Sequence, residues 1–132
     1  MIIGLGTDIV RVSRIENLQK KYGDKFLNRI LTAEEQKKFH SLKLEEQKKY
    51  LAKRFAAKEA FVKALGLGFN DEISFQDISV VNDKHGKPYY NITNKLDLYI
   101  KKLFKITRYS INISISDDTD YANAIAIIEK LD

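Results

Sequence analysis

The chain has 132 residues and no cysteine, which predicts one compact domain over residues 1–132 and excludes disulfides, thiolate nucleophiles and cysteine-ligated zinc. Hydrophobic residues at 44% against charged residues at 31%, with a single proline and six glycines, exclude the disordered and fibrous classes. A formal net charge of +5 points to an anionic partner, which leaves nucleic acid, an acidic protein or a polyphosphate ligand in play.

The N-terminal apolar run is broken by Asp8 and carries no basic leader, so a signal peptide is not expected. No later segment approaches the roughly 20 apolar residues of a membrane span. With the absence of cysteine, this makes the cytoplasm the expected compartment and gives no reason to expect a membrane partner.

In chain order, Ile2 to Val10 is rich in β-branched residues and predicts a short buried strand ending near Thr7 and Asp8. Ser13 followed by Glu16 has capping-box spacing and predicts a helix that stops near Gly23. Thr32 followed by Glu35 repeats the signal and opens a lysine-rich helix toward His40. From Leu44 to Leu65 runs the longest helical stretch, with Leu51, Phe55, Val62 and Leu65 near one stripe and Gly66 as a C-cap.

Beyond Gly66 the period changes. Ile78 to Asn82 and Tyr89 to Ile92 read as strands joined through the turn chemistry of Asp83 to Pro88. Leu96, Tyr99, Ile100, Leu103 and Phe104 follow at helical spacing after an Asn94 cap. Alternation of Ile111, Ile113 and Ile115 with Ser110, Asn112, Ser114 and Ser116 predicts a half-buried strand, and Tyr121 to Glu129 a more fully buried one. The order defines an α+β fold with an antiparallel sheet packed against one long and several shorter helices.

Several positions carry candidate chemistry. Asp8, at a strand end beside Gly4 and Gly6, fits a metal carboxylate and equally a cap for the helix that follows. Glu59 lies among Phe55, Ala56 and Val62, so it either needs a compensating cation or forms an ordinary i, i+4 surface pair with Lys63. Gly66-Leu67-Gly68 offers backbone amides to a phosphate but lacks P-loop spacing, and a plain helix stop explains it as well. His40 and His85 are the only histidines, and a histidine-centred triad is not expected.

Taken together, Gly4-Leu5-Gly6-Thr7-Asp8-Ile9-Val10 and Arg54-Phe55-Ala56-Ala57-Lys58-Glu59-Ala60 resemble the two signature segments of the bacterial holo-(acyl-carrier-protein) synthase family. Arg14-Ile15-Glu16, Arg29-Ile30-Leu31-Thr32, Gly86-Lys87-Pro88 and the closing Asp120-Tyr121-Ala122 and Ile127-Ile128-Glu129 extend the resemblance in order along nearly the whole chain. It implies a 4′-phosphopantetheinyl transferase-like fold and an enzyme that moves phosphopantetheine from coenzyme A to a serine of acyl carrier protein, releasing 3′,5′-ADP.

By the same resemblance, Asp8 and Glu59 ligate Mg²⁺, and Glu59 and Lys63 serve the catalytic step. Arg54, Lys58, Lys63, Gly66, Gly68, Lys87, Pro88 and Asn112 lie along coenzyme A. Arg11, Arg14 and Lys21, with Lys25 near them, receive the acidic carrier. A homotrimer with active sites between subunits is implied too. The chain departs from the family in carrying Asn112-Ile113-Ser114 where a histidine is common, and asparagine cannot accept a proton near neutral pH. That leaves two other readings: a coenzyme A-binding homologue without turnover, and a small basic RNA-binding module. The second lacks a stacking or G-x-x-G clamp motif, so no nucleic acid is expected.

Overall fold

The computed structural model describes all residues, 1–132. Strand β1 (Ile2–Arg11) leads into three short helices, α1 (Val12–Tyr22), α2 (Asp24–Ile30) and α3 (Ala33–Ser41), and then into the long helix α4 (Leu44–Ala64). A 3-10 turn at Phe75–Asp77 precedes the hairpin β2 (Ile78–Asn82) and β3 (Pro88–Ile92). Helix α5 (Asn94–Phe104) and the antiparallel pair β4 (Tyr109–Asp117) and β5 (Tyr121–Lys130) complete the chain. No helix is long and apolar enough to cross a membrane.

The strands form two antiparallel sheets where the sequence suggested one: β1-β5-β4, and β2-β3 alone. In the larger sheet the register puts Gly4, Gly6, Asp8 and Val10 of β1 opposite Ile128, Ala126, Ala124 and Ala122 of β5. These positions share the face that α4 covers. Ala122, Ala124 and Ala126 are fully buried, as are Ala56, Ala57 and Ala60 of α4. Small residues on both layers let the helix lie close to the sheet.

Closest of all is the approach at β1. A Cβ added to Gly6 would run into the Ala60 carbonyl oxygen and come within 2.5 Å of the Ala64 nitrogen, and one added to Gly4 would meet the Ala64 carbonyl. Backbone touches backbone there, which only glycine permits.

Local signals explain the helix ends. Thr32 and Glu35 form the reciprocal capping box of α3, as their spacing predicts. Gly66 sits at φ +78 just past α4, where a residue with a Cβ would be strained. Elsewhere the structure corrects the sequence reading. Ser13 lies inside α1, whose N-cap is Arg11 without a side-chain bond; the Val12 N–H instead donates to the Asp120 carbonyl at 2.8 Å. Thr93, not Asn94, caps α5, its hydroxyl accepting from the Leu96 N–H. Helix α2 was not foreseen, and β1 is a ten-residue strand with one open face where a short buried strand was expected.

That open face is the second side of the larger sheet. Leu5, Ile9 and Ile125 lie there at 65%, 64% and 39% exposure, with Asn112, Ser114 and Ile127 beside them in register.

Candidate active site

Asp8 is on the α4 side of β1, and its side chain is only 15% exposed. The close β1–α4 contact at Gly6 places it against the last turns of α4, where Glu59 and Lys63 project one turn apart. Lys63 Nζ donates to Asp8 Oδ1 and to the Thr7 carbonyl, each at 3.1 Å. The i, i+4 pair of Glu59 with Lys63 therefore does not form; the lysine goes to the strand.

Glu59 is half-buried. Burial first, and the neighbouring Asp8 carboxylate second, push its carboxyl above the usual range, while Lys63 and Arg14 pull it back. Two carboxylates on facing elements, one of them short of positive charge, match what a hydrated Mg²⁺ takes from a protein: one or two carboxylates, with remaining positions filled by water and phosphate. No group of three or more His, Asp or Glu side chains exists that would make a fully protein-ligated metal cage.

From Glu59 a groove of about 400 Å³ opens between α1, α2, α4 and the 3-10 turn. Its walls carry the cations Arg14, Lys25 and Arg29 and the rings of Tyr22, Phe26, Phe55 and Phe75; Glu59 is its sole carboxylate. Arg29 and the aromatic wall were missed as site residues, because they depend on α2 folding back beside α1 after the single residue Gly23. The repeated apolar residues Phe26, Leu27 and Ile30 were the available signal.

The other expected site residues separate into distinct places. Lys58 belongs to the core and has no exposed side-chain surface. Its ammonium donates to Glu35 Oε1, to the Ile30 carbonyl at 2.7 Å and to the Phe75 carbonyl at 3.2 Å. All three protons are spent, so its expected contact with coenzyme A gives way to a framework role.

Arg54 is nearly buried at 6% exposure. It donates to Asn82 Oδ1 at 2.7 Å and stands over the Tyr50 ring at 4.3 Å. Asn82 in turn donates to the Gly86 carbonyl at 2.8 Å. Arg54 is thus tied to the hairpin turn that carries the exposed Lys87 and the half-buried Pro88, and its Nε has no protein partner. Five residues separate it from Glu59 on α4, about 7.5 Å along the axis and roughly 140° around it. The two face different ways.

Gly66 and Gly68 are exposed just beyond Lys63, with open space around both. Asn112 is exposed on the sheet face away from α4, opposite Ile127, while Asp8 is on the near face. Of the expected carrier contacts, Arg14 enters the groove, Lys21 lies over the Tyr22 ring at 5.3 Å, and Arg11 turns to the Tyr121 hydroxyl at 3.2 Å.

The fold is one already known. The chain belongs to the 4′-phosphopantetheinyl transferase superfamily, whose family model matches residues 4–126. Within it, the chain is similar to holo-(acyl-carrier-protein) synthases: it is 48% identical over 131 residues to that of Wolbachia pipientis subsp. Culex pipiens, covering 97% of this chain and 98% of the relative. The crystal structure of the Neisseria meningitidis synthase superposes with a TM-score of 0.89 at 42% identity, covering 98% of this chain and 100% of that one. A Bacillus anthracis synthase in complex with CoA (3′,5′-ADP) superposes at 0.82 with 37% identity, covering 99% of both chains.

Proposed function

We infer that the chain is a holo-(acyl-carrier-protein) synthase: it transfers 4′-phosphopantetheine from coenzyme A to a serine of apo acyl carrier protein and releases 3′,5′-ADP, with Mg²⁺ held by Asp8 and Glu59. The observation that carries the site assignment is the place of Glu59, beside Asp8 at one end and closing a cationic, aromatic groove at the other. Such a groove suits an acidic carrier helix with apolar residues on its docking face.

The chemistry is displacement at phosphorus. The serine oxygen forms a bond to the β-phosphorus of coenzyme A, the bond from that phosphorus to the bridging oxygen breaks, and 3′,5′-ADP leaves with the electron pair. Positioning and charge compensation dominate such a reaction. Mg²⁺, when bound, neutralises the diphosphate. Lys63 adds a second positive charge at the same end of α4, just before the exposed Gly66 and Gly68. The serine proton needs an acceptor; Asn112 has no basic atom for it, and Glu59 is the carboxylate that faces the groove.

Arg54 and Lys87 at the hairpin, and Asn112 on the far sheet face, point away from Asp8 of their own chain. Their assignment to coenzyme A requires a second copy, which supports a trimer with sites between subunits. The apolar sheet face around Leu5, Ile9 and Ile125 supplies the surface to bury. Light scattering at micromolar concentration tests this: a trimer mass that falls to a monomer in Leu5→Asp supports it, and a monomer in the native chain refutes it. A coenzyme and a carrier protein as partners support a cytoplasmic reaction.

Intact mass of the carrier after incubation with coenzyme A and Mg²⁺ tests the whole reading. One phosphopantetheine is gained with the native chain and none with Asp8→Ala, Glu59→Ala or EDTA. Coenzyme A binding without any gain on several carriers would identify the homologue that lacks turnover.

A further inference from the structure

Lys63 has an ordinary partner available and does not take it. Glu59 lies one turn back on the same helix, the spacing at which lysine and glutamate pair. Instead the Lys63 side chain crosses to β1 and divides its protons between Asp8 Oδ1 and the Thr7 carbonyl, both at 3.1 Å. Glu59 is left with no ion pair in the chain, next to a carboxylate of like sign. Of the two carboxylates only Asp8 receives a hydrogen bond from Lys63, and Glu59 has just the longer-range pull of Lys63 and Arg14.

We propose that Lys63 is a displaceable counter-ion: its ammonium holds the Asp8 carboxylate, and it gives up that hold when a divalent cation takes the Asp8–Glu59 pair. The proposal rests on the assignment of Asp8 and Glu59 as the metal carboxylates. Its physical basis is competition between cations: the ammonium satisfies part of the Asp8 charge, takes lone-pair space on Oδ1 and repels a second cation at the same carboxylate. A divalent cation satisfies Asp8 and Glu59 together, which the single charge of Lys63 does not. Released, Lys63 keeps its charge at the mouth of the site, half-exposed, with the anionic diphosphate as its remaining counter-charge.

The sign of the Lys63 contribution therefore reverses with the ligand. Without coenzyme A it competes with the metal, and the metal-binding state is reduced by the fraction of molecules in which Lys63 holds Asp8. With coenzyme A it supports the complex.

Mn²⁺ binding to the full-length chain without coenzyme A, followed by electron paramagnetic resonance, reads this directly. Lys63→Met binds Mn²⁺ about twofold to fivefold more tightly than the native chain, the range expected for a partly exposed ion pair; Lys63→Arg, which keeps the charge, binds as the native chain does; and Asp8→Ala binds at least about tenfold more weakly. Coenzyme A affinity, measured by calorimetry with Mn²⁺ present, moves the other way and falls in Lys63→Met. Equal or weaker Mn²⁺ binding by Lys63→Met, or binding by Lys63→Arg as tight as that of Lys63→Met, overturns the proposal while a weakened Asp8→Ala keeps the metal assignment. If Asp8→Ala binds as the native chain does, the metal assignment itself fails and takes the proposal with it.

Discussion

Lys58 and Glu35 form an ion pair in which neither side chain reaches solvent, and the pair joins five elements: α2, α3, α4, β2 and the 3-10 turn. Besides Lys58, Glu35 accepts from the Thr32 and Val80 N–H groups, both at 2.9 Å. Lys58 also holds the Ile30 and Phe75 carbonyls, and both of those residues line the groove. Removing one partner strands a buried charge, a loss of about 3–5 kcal/mol. Lys58→Met should lower the urea midpoint accordingly with little change in slope, and Lys58→Met with Glu35→Gln, which removes the stranded charge and keeps an acceptor for the backbone donors, should recover part of it. Equal stability of Lys58→Met and the native chain would refute the framework role.

Gly6→Ala tests the backbone contact beneath the site. Its methyl group meets the Ala60 carbonyl and the Ala64 nitrogen, neither of which can rotate aside. Overpacking of this kind costs about 1–3 kcal/mol, and pushing β1 outward moves Asp8 away from Glu59. Transferase activity should fall well beyond the fraction unfolded, whereas Gly68→Ala, with open space around it, should leave stability within about 0.5 kcal/mol.

Substitution of the groove cations should separate carrier binding from coenzyme binding. Arg14→Ala and Lys25→Ala should each raise the KM for the carrier by about tenfold at low salt. The deficit should shrink toward molar salt, where screening falls to about 3 Å. The KM for coenzyme A should hardly move in Lys25→Ala, and an equal rise in both constants would place Lys25 at the coenzyme instead.

Glu59 gives a pH signature in the metal-free chain. Its carboxyl is held above the ordinary glutamate range by burial and by Asp8, so the folded state binds the proton more tightly than the unfolded one. The associated stability is full below the unfolded value and is lost as pH rises through the folded value. In EDTA, Glu59→Gln should match the native chain at acid pH and become the more stable protein as pH approaches neutrality. A gap that stays constant across that range would contradict it.

Much of this was legible from neighbouring residues alone. Thr32 and Glu35 announce α3, Gly66 ends α4, and the Asp83 to Pro88 turn defines the hairpin, because each signal acts within a few residues. The α+β class followed from the change of period after Gly66. Helix α2 was hidden because it is only seven residues long and begins directly after the glycine that ends α1. Lys58 and Arg54 take partners that only the tertiary fold supplies. The partner of Lys58 is 23 residues away on α3, and that of Arg54 is 28 residues away on β2, so nothing local distinguishes a buried framework cation from a ligand-facing one. Lys63 shows the reverse: its local partner was visible and the strand outcompeted it.

The glycines of β1 have one more consequence, for how the enzyme fails when heated. Nothing deformable lies between Gly6 and the Ala60 and Ala64 backbone, so the spacing of the Asp8 and Glu59 backbones is inherited from main-chain contact. The frame of such a site has no soft mode of its own. It cannot loosen gradually while the rest of the molecule stays intact, and its inactivation curve should coincide with the melting of the β1–α4 layer itself.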